Sequence, residues 1–127
     1  MSSQGRKVID SETLIYRSAR AFPPDASEYR TQFDRRGHPI GRTPEQRRAS
    51  TGLSVYRSLS HARRNGDRNG HVIGFLIVRY TILAGSDLSL ERLVGDEGHF
   101  TLLGPDLALL PDFLDRDWHE DLHPAPS

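Results

Sequence analysis

Cysteine is absent from this 127-residue chain, which excludes disulfides, thiolate nucleophiles and cysteine-bound metals. Lysine occurs once, at Lys7, so sixteen of the seventeen basic residues are arginine. No apolar run approaches the ~18 residues that span a bilayer. The longest candidate, residues 72–78, contains Gly74 and has the length of a buried strand. No cleavable signal peptide opens the chain, and the P-loop, G-x-G-x-x-G and G-x-S-x-G patterns do not occur, so nucleotide binding through those standard loops is not expected. The expectation is a soluble cytosolic chain without a membrane partner; export by a route that needs no cleavable signal stays open.

Net charge is also missing, but the zero balance hides an uneven distribution. Residues 30–68 hold ten arginines against Asp34, Glu45 and Asp67, whereas residues 96–121 hold eight acids against Arg116 alone. Such asymmetry fits either an internal match or separate surfaces for different partners. Arginine suits phosphate because its planar fork donates two parallel hydrogen bonds. Apolar residues make up only 35% of the chain, below the ~45–50% (glycine included) of ordinary globular domains. One modest core with long polar connections fits better than two domains, so residues 1–127 read as a single domain.

Residues 1–10 are polar and expected to fray. Residues 12–19 alternate as a strand, with Leu14 and Tyr16 on one face and Ile15 and Arg17 on the other. Residues 20–50, rich in proline, glycine and charge, read as a long and mostly irregular loop. Within it, Thr43 and Pro44 have the form of a helix cap and first helical position. Strands are expected over residues 51–56, 71–80 and 100–103. Helices are expected over 58–65, ended by Gly66, as a turn over 86–93, and over 105–118 with a break at Pro111. Residues 119–127 read as a flexible acidic, proline-rich tail. The sum is a small α+β domain with a mainly antiparallel sheet and short helices.

Residues 119–123 satisfy H-E-x-x-H, the pattern in which two histidines one helical turn apart hold zinc. Pro124 ends any helix there and little chain follows, so no metal is expected. His61 and His99 form a candidate acid–base pair for metal-independent cleavage of RNA, with the arginine-rich segment holding phosphate. That segment, residues 30–68, could alternatively serve a non-enzymatic module that binds nucleic acid, although aromatics are sparse in it (Tyr29, Phe33, Tyr56).

Three short apolar pieces carry polar groups where a ligand would meet them. Arg17, beside Tyr16, can clamp a phosphate. Ser54 and Tyr56 put a hydroxyl and an aromatic surface on one face of a strand. Glu97 and His99 stand at the entrance to a third strand, within reach of a sugar hydroxyl. Together they suit a dinucleotide such as NAD held outside a Rossmann fold, with Tyr16, Arg17, Ser54 and Tyr56 as binding residues. Breaking the bond to nicotinamide builds positive charge on the ribose, and a carboxylate aimed there favours the transition state over the ground state.

The pieces Ile15-Tyr16-Arg17, Gly52-Leu53-Ser54-Val55-Tyr56 and His99-Phe100-Thr101-Leu102 follow one another as in ADP-ribosyltransferase-type bacterial toxins, which the chain resembles over about fifteen residues. The resemblance implies an ADP-ribosyltransferase-like fold, NAD as cofactor, and catalytic roles for Arg17, Ser54, Tyr56, Glu97 and His99. Glu97 is the first candidate for the catalytic carboxylate and Glu91 the second; a chain in which neither reaches the pocket would bind NAD without transferring ADP-ribose. It also implies action in the bacterial cytosol and an immunity or antitoxin partner covering the pocket or the 20–50 loop. As an exposed strand residue, Arg17 is expected to be replaceable by alanine without loss of the fold.

Overall fold

The computed structural model describes residues 6–9, 11–68, 76–95, 98–105 and 107–121. These form a small α+β fold built on one antiparallel sheet. The strands are β1 (Arg6–Val8), β2 (Thr13–Ala19), β3 (Leu53–Tyr56), β4 (Leu76–Ile82), β5 (Ser89–Glu91), β6 (His99–Leu103) and β7 (Leu114–Asp121). Their order across the sheet, among the described residues, is β1-β5-β6-β3-β2-β4-β7, with every neighbouring pair antiparallel. The helices are short: α1 (Gln32–Arg36), α2 (Pro44–Ala49) and α3 (Leu59–Arg68), with 3-10 segments at Ala26–Tyr29 and Leu107–Phe113.

Residues directly opposite one another in a ladder share a face, so the registers sort the side chains. One face carries Ile15, Val55, Val78, Tyr80, Ile82, Leu90 and Leu102, each at most 1% exposed. The two 3-10 segments cover it through Tyr29, Leu107 and Leu110, which belong to the same cluster. Leu107 and Leu110 are three apart, the spacing that eclipses side chains in a 3-10 helix. The other face carries Tyr16, Ser54, Tyr56, Arg79, His99 and Thr101. Helix α3 lies against β2 and β3, burying Ala62. Arg63 of α3 donates from Nε to Glu120 of β7 at 2.7 Å.

Several expectations are corrected. Residues 86–93 form no helical turn: Ser89–Glu91 is a strand between β1 and β6, where ladder pairing and burial of Leu88 and Leu90 outweigh local preference. The helix expected over 105–118 is a 3-10 segment to Phe113 and then strand β7. The long loop contains two capped helices. Thr31 and Thr43 each close a capping box, with Asp34 and Gln46 as the reciprocal partners. Helix α3 continues through Gly66 to Arg68. At the ends, Arg6–Val8 and residues 119–121 are paired strands, not frayed chain; residues 1–5, 10 and 122–127 lie outside the described residues. The strand expected over 71–80 is described from Leu76, and residues 71–75 lie outside.

Candidate functional site

Strand β2 pairs with β4 over seven residues but with β3 at one pair, Tyr16 with Tyr56. Past that pair the two strands part. Arg17 fills the opening: Nε donates to the carbonyl of Ser54 at 3.1 Å and Nη1 to the carbonyl of Glu28 at 2.8 Å. The Ser54 carbonyl thus receives a side-chain donor where the β2–β3 ladder has stopped. Gly52 lets the chain enter β3 tightly, since a Cβ there would sit 2.5 Å from the carbonyl oxygen of Leu102.

A cavity of about 440 Å³ opens at this divide. Its wall includes Arg17, Arg30, Arg35, Gln46, Ser50 and Ser54, and among the described residues no carboxylate lines it. Three of the lining residues are arginines, the side chain whose forked donors suit an anion. Arg35 is steered by a weak bond from Nη2 to the Ser27 carbonyl at 3.4 Å. Burial lowers the proton affinity of Arg17, and the nearby Tyr80 and Glu28 partly restore it. Arginine starts so high that the group stays charged at neutral pH.

Behind Arg17 the polar contacts continue into the core. Tyr80, 0% exposed, donates its hydroxyl to that of Tyr29 at 3.0 Å. Burial is the main cause pushing the pKa of both phenols upward, so both stay protonated at neutral pH. The expectation that Arg17 is an exposed strand residue is therefore corrected: it is half-buried and donates to two backbone carbonyls.

The remaining expected residues divide by face. Tyr16, Tyr56 and His99 stand in one row across β2, β3 and β6, on the face opposite Arg17. Tyr56 meets His99 edge to face at 5.4 Å, and Tyr16 meets Trp118 at 5.6 Å, with Arg79 5.0 Å over the Trp118 ring. Ser54 shares that face but also lines the cavity. His99 lies instead in an adjoining recess of about 140 Å³ with Arg92 and Val94, and Val94 borders both spaces. Its Nδ1 donates to the Val94 carbonyl at 2.7 Å, leaving Nε2 as the acceptor of the neutral ring. Burial lowers the pKa of His99, with the Val94 bond as a smaller opposing cause.

Glu97 lies outside the described residues. Glu91 is 5% exposed and accepts from Arg48 Nε at 2.9 Å, and it does not line the cavity. Of the two histidines of the acid–base pair, His61 lies against Gly98, the residue before His99. A Cβ on Gly98 would fall 2.2 Å from His61 Nδ1, so the His61 ring covers the position just before His99. His61 Nδ1 also bonds Ser58 Oγ at 2.8 Å, and that hydroxyl accepts from His61 N–H at the start of α3. His119 and Glu120 sit on strand β7, not on the helix that H-E-x-x-H zinc binding needs, and Leu122 and His123 lie outside the described residues. Among the described residues no group of three His, Cys, Asp or Glu side chains is placed to hold a metal. No helix among them is long and apolar enough to cross a membrane.

Comparison of the chain with protein-family models, curated proteins and solved structures gives no match. Sequence reasoning missed Arg30, Arg35, Gln46 and Ser50 as neighbours of Arg17. The arginine-rich stretch was visible, but only the capped helices α1 and α2 fold it over the open end of β2 and β3.

Proposed function

We propose that this chain is an NAD-binding toxin domain of the ADP-ribosyltransferase kind, with the dinucleotide phosphates held in the cavity where β2 and β3 part. One observation carries the reading: Arg17, Arg30 and Arg35 all line that cavity, with Ser54 also in its wall and no carboxylate among its described walls. A phosphate there meets forked donors on several sides, each charge-assisted bond contributing ~1.5–3 kcal/mol. The order of the motifs adds the toxin reading, the site of action in the bacterial cytosol, and an immunity or antitoxin protein that covers the arginine cavity.

In the reaction, the bond between the ribose C1′ and the nicotinamide nitrogen breaks, and nicotinamide leaves with the bonding pair. An acceptor nucleophile forms the new bond to C1′ and gives up its proton to a base or to water. Glu97, three positions after the cavity residue Val94, is the carboxylate assigned to the developing positive charge. Tyr56 and His99, on the other face, support β3 and β6 and position the strand ends.

The test is to follow nicotinamide release from NAD by NMR, using wild type, Arg30→Ala, Arg35→Ala and Glu97→Gln. Release by wild type that falls at least tenfold in each variant is the expected result. Binding without release leaves an NAD-binding domain and removes Glu97 from the mechanism. Absence of any binding overturns the reading, and RNA cleavage that depends on His61 and His99 replaces it; the His61 ring lying against Gly98, next to His99 in the chain, is what favours that alternative.

A further inference from the structure

A second cavity adjoins the arginine cavity and has a different character. It measures about 410 Å³ and is walled by Tyr29, Phe33, Leu107, Ala108, Pro105 and Pro111. Arg30 and Thr31 belong to the walls of both cavities, so the two share a boundary. Phe33 is 39% exposed, an unusual state for a phenylalanine, and it lies on α1 two residues after the shared Thr31. Thr31, which caps α1 through a bond from Asp34 N–H at 3.0 Å, fixes where Phe33 stands. Tyr29, on the cavity wall, is held from behind by Tyr80.

An anion site that shares a wall with an apolar, aromatic space of similar size fits a ligand made of phosphate joined to a flat ring. We infer that the second cavity is the base subsite of the dinucleotide, and that it takes the adenine ring, stacked on Phe33, while the phosphates lie against Arg30, Arg35 and Arg17. This deepens the NAD reading and rests on it. The choice between the two bases follows from charge. The nicotinamide ring of NAD is cationic, and burying it among apolar groups beside Arg30 costs more than burying neutral adenine. Asp34 also borders the cavity, and its carboxylate accepts from the Thr31 backbone N–H at 3.0 Å. Adenine is also the larger ring and covers more of the apolar wall.

Calorimetry with NAD, AMP and NMN tests the assignment on wild type, Phe33→Ala, Phe33→Tyr and Ala108→Trp. Ala108 is exposed on the Leu107–Phe113 segment, so tryptophan there fills the cavity without entering the core. Stacking on an aromatic ring is worth ~1–3 kcal/mol per base, so Phe33→Ala should weaken NAD and AMP about tenfold. NMN should bind as it does to wild type, Phe33→Tyr should restore the affinity, and Ala108→Trp should abolish AMP binding. Equal affinity for NAD and AMP in wild type, Phe33→Ala and Ala108→Trp overturns the subsite and leaves the arginine cavity untouched. Loss of NMN binding in place of AMP overturns the choice of adenine. A wild type that binds neither NAD nor AMP overturns the dinucleotide reading itself, and the subsite with it.

Discussion

Along one edge of β2, seven consecutive residues pair with β4; along the other, the ladder to β3 has the single pair Tyr16–Tyr56. On the continuous side, the ladder satisfies the backbone and side chains are free to pack as a dry core. On the interrupted side, backbone carbonyls lose their ladder partners and must find others. Arg17 supplies a donor to one of them, at Ser54, donates also to the Glu28 carbonyl of the neighbouring 3-10 segment, and lines the cavity at the interruption. The same strand therefore builds the core with one edge and the candidate site with the other. Residues on the first side are constrained by volume, and those on the second by hydrogen bonding and charge.

Substitutions separate these two regimes, beginning with the largest effect. Ile15→Ala, at a fully buried site of the continuous ladder, should cost about 3 kcal/mol of unfolding free energy by urea denaturation. A loss under 1 kcal/mol would mean that the core side is less tightly packed than its burial implies. Arg17→Ala should cost about 2 kcal/mol, because the carbonyls of Ser54 and Glu28 lose their donor. It should also remove NAD binding, so the two effects appear together in one variant. Stability equal to wild type would return Arg17 to the role of an ordinary exposed strand residue.

Tyr80→Phe should cost about 1 kcal/mol, since it removes one buried hydroxyl bond while conserving the ring. The cavity arginines mark the other extreme. Arg30→Ala and Arg35→Ala, both exposed, should change stability by less than about 0.5 kcal/mol. A larger loss would show that they are structural groups and not a ligand site.

A pH series sharpens the comparison at β6. The pKa of His99 is depressed in the fold, mainly by burial, below the ordinary value near 6.5. Between the depressed value and 6.5 the unfolded chain binds a proton that the native state refuses. The stability linked to neutral His99 is thus present above about pH 6.5 and is lost as the pH falls through the folded value. Thermal melts from pH 7.5 to 5 should show this loss, and His99→Gln should flatten it. An unchanged slope in that variant would assign the pH dependence to other groups.

Much of the strand content was legible because period-two patterning and β-branched residues mark half-buried strands, as in β2, β3 and β6. The alternation already put Tyr16 and Arg17 on opposite faces. It also put Ser54 and Tyr56 on one face, and Thr43–Pro44 marked the start of α2. Strands β1, β5 and β7 were not legible. They are short or polar and acquire their conformation from the partners they pair with. Segment 105–118 misled because leucines three or four apart suit an α-helix and a 3-10 turn about equally.

The candidate site divides in the same way. The sequence by itself determined the supply of chemistry: arginine in abundance, no thiol, no standard phosphate loop, and a strand carrying Arg17 on the face opposite Tyr16. It also marked the Thr43–Pro44 start of α2. Tertiary structure alone decided that the β2–β3 ladder stops after one pair. It likewise decided that Arg30 and Arg35 come to stand with Arg17 around one cavity, and that Phe33 borders the next. Ladder register and the meeting of distant segments depend on which long-range pairings bury the most apolar surface, a property of the whole chain that no local stretch of residues encodes.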